Sequence, residues 1–129
     1  MDTPDELQYT REHFWIRQEG KTAVIGLTDF MQDMIGTIDS VELPAEGDEI
    51  EQDDAIGMVE ARNGVSELYA PFSGTVTEVN NELLDNSSLI NDDPYDSGWL
   101  AEIRISDPDE LKSLMSADEY IDFIEDQEI

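Results

Sequence analysis

At 129 residues, the chain has the length of one folded domain, and with no cysteine it has no disulfide framework, thiol chemistry or thiolate metal site. Its 33 acidic residues against 6 basic ones give a formal charge of −27, which repels nucleic acid and anionic membranes. Three readings of that charge stand level: a surface steered to a basic docking partner, adaptation to high salt, or simple solubility. No apolar run approaches a membrane span, and the acidic start Met1-Asp2-Thr3-Pro4-Asp5-Glu6 is the opposite of a signal peptide, so a cytoplasmic location is expected.

In chain order, residues 12–18 and 21–27 are β-rich runs separated by Glu19-Gly20, a hairpin pattern. Residues 28–36 carry the marks of a short helix, with Thr28 as cap, Asp29 in the first turn and Gly36 as stop. Phe30, Met31, Met34 and Ile35 then form one apolar face. Residues 37–43 read as a strand closed by Pro44, and residues 45–48 as a turn. A strand follows at 75–79, after the turn Pro71-Phe72-Ser73-Gly74. The shared Pro-x-x-Gly core of residues 43–50 and 70–76 suggests a loose two-fold, as in a flattened barrel of two similar sheets.

Residues 80–88 are polar around Leu83-Leu84, with room for a helical turn, and residues 89–98 read as a loop. Residues 99–105 alternate: Trp99, Ala101, Ile103 and Ile105 on one face, Leu100, Glu102 and Arg104 on the other. Asp107-Pro108-Asp109-Glu110 and Ser116-Ala117-Asp118-Glu119 are two helix starts, each with a cap and an acid three residues on. The fold class is therefore mainly β, a flattened barrel or sandwich with a short internal helix and a C-terminal helical segment at 107–126, all in one domain over residues 1–129.

The centre of the chain is the stretch from Gly57 to Pro71. It reads as two arms, residues 58–61 and 65–70, with Asn63-Gly64 at the tip of a type I′ turn, which demands positive φ at both central residues. Its pattern Val59-Glu60 … Ser66-Glu67-x-Tyr69-Ala70-Pro71 resembles the carrier hairpin of the glycine cleavage system H proteins. The likeness extends through Tyr9-Thr10, His13-x-Trp15, Ile25-Gly26-Leu27-Thr28-Asp29, Val41-Glu42-Leu43-Pro44, Gly47-Asp48, Ser73-Gly74 and Glu78-Val79-Asn80. It continues through Leu89-Ile90-Asn91, Pro94-Tyr95, Gly98-Trp99 and residues 106–111.

The resemblance implies a lipoyl-domain fold and a non-enzymatic carrier of the aminomethyl group released in glycine decarboxylation. It implies glycine decarboxylase, aminomethyltransferase and lipoamide dehydrogenase as partners, with lipoate ligase a further one for a non-lipoylated form; a monomer is expected. In the family a lysine at the hairpin tip carries lipoate through an amide. That position falls here on Asn63, which cannot be acylated, and the only lysines, Lys21 and Lys112, lie outside the hairpin. No lipoate, and no other cofactor, is therefore expected.

The family also has His-Glu-Trp where this chain has His13-Phe14-Trp15, so a carboxylate suited to a cationic aminomethyl group is missing. The implied hairpin and cleft surroundings are Glu60, Arg62, Gly64, Ser66, Glu67, His13 and Phe14, with Ser66 equally at home as a plain strand residue. Three functions stay open: an H protein by descent whose lipoyl site has degenerated, a non-lipoylated adaptor or regulatory paralogue that docks on glycine cleavage enzymes or lipoate ligase, or a carrier in a related pathway whose arm attaches elsewhere, for which the sequence offers no candidate amine.

Other chemistry finds little support. His13 is the only histidine and has no identifiable nucleophile to serve, so packing or hydrogen bonding is its ordinary role. Asp92-Asp93-Pro94-Tyr95-Asp96 fails the spacing of a calcium loop, and no metal site is expected.

Overall fold

The computed structural model describes residues 3–127. Among the described residues, nine strands form two antiparallel sheets. The first four are β1 (Gln8–Tyr9), β2 (Phe14–Glu19), β3 (Thr22–Leu27) and β4 (Ile38–Glu42). After them come β5 (Glu49–Ile50), β6 (Ala55–Ala61), β7 (Gly64–Tyr69), β8 (Gly74–Val79) and β9 (Ala101–Ile105). The larger sheet runs β1-β2-β3-β9-β8-β5, and the smaller runs β4-β6-β7. Between them lies the main core, which includes Phe14, Ile25, Leu27, Val41, Val59, Leu68, Phe72 and Ile103. The fold is thus mainly β with added helices, as the alternating runs and turn residues require.

The helix α1 (Asp29–Ile35) forms as its sequence dictates: Thr28 Oγ1 accepts from Met31 N–H at 3.2 Å, and Gly36 ends it at φ 83°. Met31 and Ile35 are buried, but Met34 is 47% exposed, so the apolar face is narrower than its spacing suggests. Short helical turns occupy α2 (Glu82–Asp85) and α3 (Leu89–Asp92). The second turn replaces part of the expected loop, and Ile90 anchors it in the main core.

Beyond β9, a 3-10 helix covers Pro108–Ser113 and α4 covers Ala117–Gln127. The second capping box closes as read: Ser116 N–H donates to Glu119 Oε1 at 3.0 Å, and Glu119 N–H donates to Ser116 Oγ at 3.2 Å. The first does not. Asp107 accepts from Asp109 N–H, while the Glu110 carboxylate reaches away to Ser73, accepting from its backbone N–H at 2.6 Å and its hydroxyl at 3.0 Å. Glu110 therefore fastens the 3-10 helix to the turn before β8. The two Pro-x-x-Gly segments meet as neighbours, since β5 pairs with β8 and Gly47 N–H donates to Val76 O.

A second, smaller cluster lies on the outer side of the larger sheet and holds Leu7, Tyr9, Trp15, Val24, Ala117, Tyr120 and Ile124. It joins the start of the chain to α4, and Tyr9 and Met115 exchange two backbone hydrogen bonds of 2.8 Å. Strand β2 runs between both clusters, so Phe14 and Ile16 enter the main core while Trp15 enters the second. Trp15 lies opposite Gly26, whose missing Cβ makes room for the indole, and its Nε1 donates to Pro94 O at 2.8 Å. Leu100 is buried in the main core although the alternation of residues 99–105 places it opposite Ala101 and Ile103; its backbone bonds to Ile25 and Asn80 just before β9 begins.

Candidate functional site

The central hairpin is β6 and β7, paired in register from Met58–Glu67 to Ala61–Gly64. Its two-residue loop is Arg62-Asn63, one position earlier than the Asn-Gly pattern suggests. Neither loop residue has positive φ; Gly64 alone carries it, at 141°. The turn is therefore not type I′. Glycine supplies the unusual conformation just after the loop, which frees Asn63 from needing it.

What fixes the loop is α1. Arg62 N–H donates to Thr37 O at 2.9 Å, and Asn63 N–H donates to Ile35 O at 3.0 Å. The Asn63 side chain adds a third bond, Nδ2 to Met34 O at 2.9 Å. Asn63 thus satisfies two of the carbonyls left open at the end of α1, a helix-capping role that its exposed position does not announce. Close approach is possible because Gly36 packs against the loop: a Cβ there would lie 3.4 Å from both Arg62 Cβ and Asn63 Nδ2. In solvent, the side-chain bond contributes about 0.5–1.5 kcal/mol. An amide bound in this way has no amine to acylate.

The other residues implied by the hairpin fall into two groups. Glu60, Arg62, Gly64 and Glu67 are exposed on or beside the hairpin, and Ser66 is half-buried opposite Val59. Glu67 accepts from the Tyr69 hydroxyl at 3.1 Å, and that bond, with the carboxylate's charge, raises the pKa of Tyr69. An open cleft of about 550 Å³ begins at Tyr69 and is lined by Thr10, Arg11, Glu12, Asp53, Lys112 and Met115 among others.

His13 and Phe14 do not belong to this surface. Phe14 is 1% exposed in the main core, because β2 is covered on both faces and its side chain points inward. It is not a cleft residue, and a carboxylate there would sit among apolar neighbours. His13 is equally withdrawn, at 7% exposure and a positive φ of 70°. Its Nδ1 is 2.8 Å from the Tyr120 hydroxyl, which is 2.7 Å from Thr28 Oγ1, the cap of α1. Phe30 and Phe123 flank the imidazole, and burial lowers its pKa from 6.5. This chain joins β2, α1 and α4. The His13–Tyr120 link crosses 107 positions and left no local signal to read.

Two stacked antiparallel sheets, a hairpin presented at one end and helices packed outside define a lipoyl-domain type of carrier module. A family model described as "Glycine cleavage H-protein" matches residues 7–127. The glycine cleavage system H protein of Anaeromyxobacter sp. (strain K) is 48% identical over 99% of this chain and 100% of its own. That of Salinibacter ruber (strain DSM 13855 / M31) is 51% identical over 93% of this chain and 97% of its own. The crystal structure of a glycine cleavage system H protein from Mycobacterium marinum superposes with a TM-score of 0.85 at 31% identity, covering 92% of this chain and 96% of that one. The chain belongs to the glycine cleavage H-protein family. Its members are non-catalytic carriers, and the protein is accordingly not an enzyme. No described helix is long and apolar enough to cross a membrane.

Proposed function

We propose that this protein is a cytoplasmic, monomeric component of the glycine cleavage system that engages the system's enzymes as a single H-protein-like domain without carrying lipoate. One observation carries the reading: Asn63 stands where the resemblance puts the acylated lysine, and its amide is held on the end of α1 instead of projecting from the tip. Glycine decarboxylase, aminomethyltransferase, lipoamide dehydrogenase and lipoate ligase are the candidate partners, and Glu60, Arg62, Gly64, Ser66 and Glu67 supply the contact surface around the tip. The adaptor form of the proposal is favoured by the hairpin's three bonds to residues 34–37, which suit a fixed docking element better than a swinging arm.

The test is intact mass of the protein isolated from its own host, followed by binding to the four enzymes. The expected result is the mass of the bare chain together with measurable binding. A lipoyl increment on Lys21 or Lys112 would overturn the proposal, as would absence of binding to all four enzymes.

A further inference from the structure

The hairpin tip carries a chemistry independent of any cargo. The chain has five asparagines, at 63, 80, 81, 86 and 91, and only Asn63 is followed by glycine. A backbone nitrogen can attack the side-chain carbonyl of a preceding asparagine, and the side chain of the following residue normally obstructs that approach. Gly64 has none, and nothing lies within 4 Å of the place its Cβ would take. Asn63 itself is exposed in a two-residue loop. Its side chain is held by one bond, to Met34 O, whereas Asn80 and Asn91 are less exposed and are each held by two or more side-chain bonds.

We propose that Asn63-Gly64 is a site of spontaneous deamidation, and that the conversion releases the hairpin tip from α1. The Gly64 nitrogen, after losing its proton to solvent, bonds to Cγ of Asn63. The bond from Cγ to the side-chain nitrogen then breaks, and ammonia leaves with a proton from water. Water adds to either carbonyl of the resulting ring imide and opens it, leaving aspartate or isoaspartate at position 63. No oxidant or reductant takes part.

The consequence follows from the bond that is lost. Asn63 Nδ2 donates to Met34 O, and the product places a carboxylate oxygen against that carbonyl. Two acceptors then face each other with no hydrogen between them, beside a helix end that already carries partial negative charge. The isoaspartate form also lengthens the backbone at the loop, displacing the N–H groups of Arg62 and Asn63 from Thr37 O and Ile35 O. The same clamp sets the pace, because the ring closes only when the Asn63 amide leaves Met34 O.

The wild-type chain should be aged in mildly alkaline buffer and mapped by peptide mass, with protein isoaspartyl methyltransferase as the probe for isoaspartate. Acid is expected at position 63 several-fold faster than at Asn86, the exposed asparagine that precedes Ser87. The aged, more acidic fraction should then be separated by anion exchange and its amide hydrogen exchange compared with fresh protein. Loss of protection at residues 62 and 63, with the core strands still protected, is the expected pattern. Conversion at position 63 no faster than at Asn86 overturns the proposal. So does an acidic fraction, modified at position 63, that retains full protection of both amides. Asn63→Gln should abolish the fast conversion; persistence of the fast product in that variant assigns it elsewhere and likewise overturns the proposal.

Discussion

Replacing Tyr120 by phenylalanine tests the polar chain that holds α4. The ring would keep its stack on Tyr9, whose centroid is 4.7 Å away, and only the hydroxyl would go. That hydroxyl lies between His13 Nδ1 and Thr28 Oγ1. Thr28 Oγ1 has no acceptor for its own hydrogen but the Tyr120 hydroxyl, so the run that places every hydrogen has Thr28 donating to Tyr120 and Tyr120 donating to His13. The substitution therefore leaves the Thr28 hydroxyl hydrogen without an acceptor and the His13 nitrogen without a donor, in residues 0% and 7% exposed. With about 1–3 kcal/mol for each buried group left unpaired, and His13 able to relax, the expected loss is about 2–4 kcal/mol. Urea unfolding followed by tryptophan fluorescence should show a lower midpoint at an unchanged slope, since the surface exposed on unfolding is nearly the same. A loss below about 0.5 kcal/mol would refute the reasoning, because it would place the hydroxyl in contact with water.

The same site makes stability depend on pH. His13 binds its proton more weakly folded than unfolded, so stability is full above about 6.5 and falls as pH drops below it, by at most about 1.4 kcal/mol per pH unit until the folded group titrates. Urea midpoints measured down to about pH 5 should show this decline, and His13→Asn, which tolerates positive φ, should flatten it. Gly26→Ala would set a methyl 2.5 Å from the Trp15 ring, and should cost about 1–3 kcal/mol or more by urea titration. Asn63→Lys should restore a substrate for lipoate ligase, read by mass, at a cost of about 0.5–1.5 kcal/mol for the lost bond to Met34 O; a folded variant that is never modified would count against placing the attachment position there. With a charge of −27 and only two ion pairs among the described residues, the thermal midpoint should rise clearly from low to near-molar sodium chloride, and a flat response would remove the case for salt adaptation.

Local signals were the legible ones. Thr28 and Gly36 bound α1, the Ser116–Glu119 box opens α4, and β-rich runs between turn residues mark β2, β3, β4 and β8, because each depends on neighbours within a few residues. The hairpin was legible but its loop was not: Asn63-Gly64 suits a type I′ turn, yet tertiary bonds from residues 62 and 63 to the end of α1 favour the loop one position earlier. Phe14 was misplaced for a related reason. A strand covered on both faces has no polar side, so its residues do not reveal which cluster each one enters. Glu110 looked like half of a capping box, and only the fold shows Ser73 close enough to claim its carboxylate.

The buckle between the chain's early and late segments has a consequence for biosynthesis. Leu7, Tyr9 and Trp15 are made more than a hundred residues before Ala117, Tyr120 and Ile124, which cover them. At about 5–20 residues per second, the early aromatics wait several seconds on the ribosome with their outer faces uncovered. Strands β1 to β8 all precede residue 80, so most of both sheets is made well before α4, whereas β9 emerges only shortly before it. Docking of α4 on these residues closes a loop of more than a hundred residues, a contact of high entropic cost. A released chain cut before Ala117 would hold all nine strands with Trp15 and Tyr9 stripped of their cover from α4, the form on which a chaperone has most to hold.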